Sequence, residues 1–266
     1  MPYQSRLASF TYQDLPRVIA HRGASGDAPE NTLSACQLAV DQGARWIEVD
    51  IALAADGVPV VFHDENLERC SSGHGRLIQH TAGQLQKLDC GSWYSDDFAG
   101  ESMLLLQQLL RFAARHHVGL NLEIKPVFGR EQNTVWAIAT LLRQFPVSFP
   151  IVFSSFNPLA LEYCHQFMPE YSRAWLTEAL PDNWLHLLER YRCSGIHYCA
   201  DFHNSQQITD IREAGYRVLA YTVNEPEQAA WLLSSGVNAI FTDYPGKMQR
   251  SLATSEHGQN EAFLTH

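Results

Sequence analysis

The sequence predicts an α/β fold, a closed TIM (β/α)8 barrel with a small loop-rich insertion, on three observations. Short apolar runs alternate with amphipathic helical patterns, as in a parallel sheet with helices packed outside it. About eight such units in 266 residues fit a closed barrel better than an open doubly wound sheet. Charged residues also interrupt the ends of several strands, where a barrel gathers its functional groups.

Taken in order, RVIAHRG (17–23) reads as a buried strand closing in polar residues and glycine. ENTLSACQLAVDQG (30–43) carries Leu33, Cys36, Leu38 and Val40 near helical spacing, with Gly43 as a stop. ARWIEVDIAL (44–53) is a second strand, and ADGVPVVFHD (55–64) a further extended run beginning in an Asp-Gly turn. Later strands are expected in GLNLEIKP, PIVFSSF, SRAWLT, GIHYCAD, RVLAYTVN and NAIFTDYP. Helical patterns such as LLRFAARHH, TVWAIATLLRQF, PLALEYCHQF, NWLHLLERY, SQQITDIREAG and PEQAAWLLSSG separate them. The stretch 64–101, rich in Gly, Ser, Asp and Cys, has no clean period and reads as an insertion serving the active-site face. The expected organisation is an N-terminal extension (1–16), a barrel domain (17–250) and a frayed or disordered polar tail (251–266).

Composition narrows the function. A hydrophobic fraction of 45% suits a globular core, and a net charge of -10 argues against a nucleic-acid partner. The six cysteines form no CxxC pair and read as small buried thiols in a reducing compartment. MPYQSRLASFTYQDLPR lacks the apolar centre of a secretory signal, and no run approaches the roughly 18 apolar residues of a membrane span. A cytoplasmic protein with no membrane span is expected, monomer or homodimer.

Charge within strands is the informative feature. His21 and Arg22 close the first strand, and His63 and Asp64 end PVVFHD. Glu48 and Asp50, two apart in WIEVDI, share one face of a strand, as do Glu123 and Lys125 in LNLEIKP. Asn224 ends LAYTVN, and Asp243 sits in FTDYP. Each charge alone could belong to an ordinary ion pair, Glu48 with Arg22 or Glu123 with Lys125. A cluster drawn from at least three strand ends points to function, because buried carboxylates need a cation or tight pairing. Three carboxylates without sulfur suit a hard divalent cation, Mg²⁺ first and Ca²⁺ or Mn²⁺ as alternatives. Arg22 and Lys125 can hold an anion, and His21 and His63 can move protons near neutral pH. That set matches what phosphodiester cleavage requires.

The runs AHRGASGDAPENTLSA, IEVDIALAADGVPVVFHDENLER, LNLEIKP, SSF, YTVN and FTDYPG resemble the bacterial glycerophosphodiester phosphodiesterases, from about Val18 to Lys247. LDCGSWYSDDFAGE resembles the insertion of the cytosolic enterobacterial-type members. The resemblance implies a TIM barrel, a divalent cation, and hydrolysis of glycerophosphodiesters to glycerol 3-phosphate and an alcohol. It implies Glu48, Asp50 and Glu123 as metal ligands, His21 and His63 as the acid/base pair, and Arg22 and Lys125 as phosphate-binding cations. Glu30 and Asn31 match a motif lining the same site, and Asn224 is a further candidate beside it. Either water or the glycerol 2-hydroxyl can be the nucleophile on this reading.

Departures from the family pattern are few: Ala54 stands where Thr is common, and Leu104-Leu105 where Pro-Thr is usual. Trp93, Tyr94 and Phe98 read as the insertion's own small core, with the alcohol group as the alternative contact. His74, His80, His116, His117, His165, His186, His197, His203 and His257 match no motif and read mostly as surface or satisfied polar residues. GASGDAPEN is a weak phosphate motif. A phospholipid-cleaving relative would need an exposed apolar lip or a basic interfacial helix, and the sequence shows neither. A barrel that only binds a phosphorylated metabolite would not need two proton-transfer groups.

Overall fold

The computed structural model describes residues 15–263, with side chains to residue 254, so the expected N-terminal extension lies almost wholly outside the described residues. The chain begins β1 (Val18–His21), α1 (Leu33–Asp41), β2 (Trp46–Leu53), β3 (Pro59–Val61), α2 (Ala82–Leu85) and α3 (Leu106–His116). It continues β4 (Gly119–Ile124), α4 (Glu131–Gln144), β5 (Ile151–Ser155), α5 (Pro158–Phe167), β6 (Ser172–Thr177) and α6 (Trp184–Arg190). It ends β7 (Gly195–Cys199), α7 (Ser205–Glu213), β8 (Arg217–Tyr221), α8 (Pro226–Ser234), β9 (Ala239–Thr242) and α9 (Pro245–Phe263).

Eight parallel strands close into a barrel because β1 pairs with β2 on one side and β9 on the other. The remaining strand, β3, folds back antiparallel on the end of β2, pairing Val61 with Ile51. Strand β2 shows why the barrel forms. Its odd-numbered residues Ile47, Val49 and Ile51 pack outward with Leu109, Leu110 and Ile138 of the helix layer. Its even-numbered residues alternate to the barrel interior, from Trp46 in the apolar floor up to Glu48 and Asp50. The other half repeats the outer layer with Ile196, Tyr198 and Val218 against Leu188, Ile208, Ile211 and Leu232. Register then sets the rim: His21 stands beside Glu48, and Asp50 beside Glu123.

The insertion between β3 and α3 is compact, with two 3₁₀ turns, Leu77–Gln79 and Asp96–Phe98, around α2. Leu67, Leu77, Leu85, Cys90 and Met103 form its apolar cluster against Val60 and Phe62. Trp93, Tyr94 and Phe98 meet edge to face at 5.7 Å, and the Trp93 indole donates to the Cys90 carbonyl at 2.8 Å. Those rings pack on one another outside the apolar cluster, with Trp93 exposed and Tyr94 and Phe98 half-buried, so the expected insertion core does not include them. The insertion is tied to the β1–α1 loop by Tyr94 Oη donating to the Gly26 carbonyl at 2.7 Å, and to the first turn of α1 by Ser34 Oγ donating to Glu101 at 2.5 Å. At the Leu104-Leu105 departure, α3 keeps only half a capping box. The Leu105 N–H donates to Gln108 Oε1 at 2.9 Å, and leucine has no oxygen to return the bond.

Helix α9 runs unbroken to Phe263, since no proline follows Pro245 and Met, Gln, Ala and Glu favour helix. Met248 anchors its first turns in the barrel's outer core. Among the described residues all six cysteines are free thiols, five of them buried, and burial pushes the Cys36 thiol up to about 12. No described helix is long and apolar enough to cross a membrane.

Gly23 has a φ of +84°, and a Cβ there would meet the Ala35 backbone at 2.6 Å. Gly23→Ala is expected to destabilise the protein by more than about 1 kcal/mol, read as a lower urea midpoint. An unchanged midpoint would show that this turn does not depend on glycine.

Candidate active site

The first βα turn is built to hold backbone against carboxylate. Arg22 and Asn31 both adopt left-handed backbone, with φ of 54° and 61°. Each such residue costs about 1–3 kcal/mol unless its surroundings over-determine it. Here they do. The Arg22 N–H donates to Glu48 Oε2 at 3.0 Å, and the Asn31 N–H donates to the Arg22 carbonyl at 3.0 Å. The Asn31 side chain then brackets Asp50, donating from Nδ2 to Oδ2 at 2.8 Å and accepting from the Asp50 N–H at 3.1 Å.

Glu48, Asp50 and Glu123 converge at the top of the barrel with ligand-type oxygens all within 4.8 Å of one another. Glu48 and Asp50 are almost fully buried. The Arg22 Nε lies 3.2 Å from Asp50 Oδ2, and Lys125 Nζ lies 3.3 Å from Glu123 Oε1 and 3.8 Å from Asp50 Oδ1. Burial and the repulsion of Asp50 and Glu123 push Glu48 well above the usual carboxylate range. Burial and Asp50 likewise push Glu123 up to about 7, against the pull of Lys125. For Asp50, burial works upward, but Arg22, His63, Lys125 and the Asn31 hydrogen bond outweigh it and hold the group down. For Arg22, burial works against the charge and the facing Asp50, Glu30 and Glu48 more than restore it. Asp50 Oδ1 is buried and accepts no hydrogen bond. A buried oxygen left this way beside two crowded carboxylates fits a hard cation held by Glu48, Asp50 and Glu123.

Both imidazoles are anchored alike. His21 Nδ1 meets Asp243 Oδ1 at 2.7 Å, and His63 Nδ1 meets Asp64 Oδ1 at 2.5 Å. Each pairing leaves Nε2 as the ring's remaining nitrogen on the cavity side. Asp243 is itself held by Ser25 Oγ at 2.9 Å and Asn224 Nδ2 at 2.7 Å. Burial pushes Asp243 up, but the bonds from His21, Asn224 and Ser25 prevail and bring it down to about 2. Arg69 and His63 bring Asp64 down to about 2 in the same way. Burial also lowers His63 below its ordinary value, despite Asp50 and Asp64.

A cavity of about 260 Å³ joins these groups, lined by His21, Arg22, Glu48, His63 and Glu123. Asp50 and Lys125 sit behind that wall, linked to it through the ion pairs above. Glu30 takes the Arg22 Nη1 at 2.8 Å and Asn31 brackets Asp50, while Asn224 reaches the site only through Asp243. The cavity extends down to Asn121, Ser154 and His197 inside the barrel. His197 departs from the surface reading: it is fully buried, and burial pushes its imidazole down to about 3, so the ring is neutral.

Sequence reasoning noted Asp64 and Asp243 without giving them roles, and passed over Arg69, Ser25, Asn121 and Ser154. Asp243 carried a signal, an acid inside the last apolar strand. Arg69 carried none, since Asp64 lies five residues before it in a stretch with no period and Glu30 lies 39 residues away. Three large apolar side chains after β4 and β5 are exposed. Phe128, after β4, is 95% exposed, and Phe156 and Leu159, after β5, are about half exposed.

A (β/α)8 barrel with carboxylates, cations and two carboxylate-bound imidazoles on one rim has the makeup of an acid–base hydrolase of an anionic ester. The chain belongs to the glycerophosphoryl diester phosphodiesterase family, whose family model matches residues 21–247. The Bacillus subtilis protein YhdW is 35% identical over 240 residues, covering 86% of this chain and 94% of its own length. The glycerophosphodiester phosphodiesterase of Caldanaerobacter subterraneus subsp. tengcongensis is 30% identical over 233 residues, covering 86% of this chain and 94% of its own. A solved phosphodiesterase from Oleispira antarctica, in complex with its product sn-glycerol-3-phosphate, is 41% identical with a TM-score of 0.89. It covers 91% of this chain and 98% of that one.

The lowered Asp243 makes a prediction with a definite sign. A carboxyl held at about 2 in the fold, against an ordinary 3.8, stabilises the protein above pH 4 and ceases to as pH falls towards 2. With partial screening the contribution is about 1–2 kcal/mol. Between pH 6 and pH 3 the wild type should lose more of its urea midpoint than Asp243→Asn does. Equal losses would contradict this assignment.

Proposed function

We propose that the protein hydrolyses glycerophosphodiesters to sn-glycerol 3-phosphate and an alcohol, with a divalent cation bound by Glu48, Asp50 and Glu123. The observation carrying this reading is the pair of aspartate-anchored imidazoles, His21 and His63, lining one cavity with that carboxylate cluster. Arg22 and Lys125 bind and orient the phosphoryl group, offsetting its charge in a chain whose net charge of -10 repels it. One imidazole takes a proton from the attacking hydroxyl at Nε2 as the new P–O bond forms. The other gives a proton from Nε2 to the departing alkoxide as the old P–O bond breaks. Asp243 and Asp64 stabilise whichever ring is protonated and fix its tautomer. When bound, the cation supplies charge stabilisation at the phosphoryl oxygens. Mg²⁺ is the favoured ion from an all-oxygen donor set, with Ca²⁺ and Mn²⁺ as substitutes.

The product named for the Oleispira antarctica phosphodiesterase supports glycerol 3-phosphate as the product here. The stretch LDCGSWYSDDFAGE supports a place beside the cytosolic enterobacterial-type members, and a cytoplasmic monomer or homodimer goes with that reading.

The direct test is glycerol 3-phosphate release from glycerophosphocholine with Mg²⁺, with and without chelator. Turnover is expected with the metal and should disappear on chelation. Failure to cleave any glycerophosphodiester would sink the reading. His21→Ala should lower kcat by about 100-fold or more in a variant that remains folded. Wild-type turnover in that variant would remove His21 from the chemistry.

A further inference from the structure

One side chain of the insertion reaches both halves of the active site. Arg69 donates to Asp64 from Nε at 2.6 Å and from Nη2 at 3.0 Å. It donates to Glu30 from Nη1 and Nη2, each at 2.8 Å. One planar guanidinium thus grips two carboxylates by two-point contacts, a geometry that lysine cannot reproduce. Asp64 is the aspartate on His63 Nδ1, and Glu30 is the acceptor for Arg22 Nη1. A continuous chain runs His63, Asp64, Arg69, Glu30, Arg22, from a proton-transfer group to a phosphate-binding one.

Stability alone is a weak reason for this arrangement. The Arg69 side chain is 45% exposed, and ion pairs at such exposure contribute about 1 kcal/mol or less. The insertion is also secured independently, through its apolar cluster, the Tyr94–Gly26 bond and the Ser34–Glu101 bond. What Arg69 adds is orientation. A quarter of the Asp64 side chain is exposed, so without the fork it can rotate towards water and leave Nδ1 of His63 unanchored. His21 shows the contrast: its aspartate is fixed by Ser25 and Asn224, both from the barrel's own loops. Among the described residues, His63 has only the insertion's arginine behind its aspartate.

We propose that Arg69 is a positioning residue for the hydrolysis, locking Asp64 and Glu30 in the rotamers that orient His63 and Arg22. The docked insertion then completes the active site without touching substrate. This inference rests on the proton-transfer role given to His63 above.

The test uses the full-length protein with Mg²⁺, comparing Arg69→Gln, Arg69→Lys, His63→Ala and the double variant His63→Ala/Arg69→Gln. Arg69→Gln should lower kcat about 10- to 100-fold with the melting temperature kept, and Arg69→Lys should recover only part of it. In the His63→Ala background, Arg69→Gln should cost no further kcat, while any rise in KM through Arg22 remains. Side-chain ¹⁵N spectra read the same point without turnover. The His63 ring, identified by its loss in His63→Ala, should be a single Nδ1–H tautomer in the wild type and a mixture in Arg69→Gln. A kcat within twofold of wild type with an unchanged tautomer would overturn the proposal, as would an equal kcat loss with and without His63. An inactive wild type would defeat the functional reading instead, and the spectra would still decide whether Arg69 orients the ring.

Discussion

Three buried carboxylates crowded into one end of a barrel are the constraint on which the rest of this structure depends. At 4.8 Å, two like charges repel by about 3 kcal/mol at the effective dielectric of a protein interior. That repulsion is repeated over the three pairs that Glu48, Asp50 and Glu123 make. The protein answers with Arg22 and Lys125, two positive charges for three acids, and settles the lowest ionisation on Asp50. Glu48 and Glu123 are left raised, which is the state expected where a further positive charge belongs. The left-handed turns at Arg22 and Asn31 make sense in the same terms, since they aim an N–H at Glu48 and an amide at Asp50.

Around that centre the two imidazoles are supported from different sources. Asp243 comes from the end of β9 and is fixed by the barrel's own loops, so His21 is as rigid as the barrel. Asp64 begins the insertion and depends on Arg69. The site is therefore partly intrinsic to the closed sheet and partly assembled by a docked segment, an arrangement common where loops on a rigid scaffold carry function. Phe156, about half exposed, lines the cavity together with Leu176, Tyr221 and Phe241, so its wall is partly apolar.

Much of this was legible in the sequence because strands obey a period of two. The alternation of Ile47, Val49 and Ile51 with Glu48 and Asp50 revealed which face each carboxylate takes, and Glu123 with Lys125 repeated the pattern. Such regularity also made the barrel readable. Asp243 was visible as a charge in an apolar strand, but its role was not, because the partner His21 lies 222 residues away. Arg69 and Glu30 meet across a turn and an insertion lacking any period, so no spacing rule joins them. His197 lies inside the barrel by strand register, which composition does not reveal because histidine has no strong burial preference.

The account stands on the carboxylate cluster being a cation site, and calorimetric titration with Mg²⁺ or Mn²⁺ measures that without reference to turnover. One ion should bind per chain, more tightly as pH rises, and binding should be lost in Glu48→Gln and Asp50→Asn variants that remain folded. Absence of binding to the wild type, or undiminished binding in those variants, would contradict it.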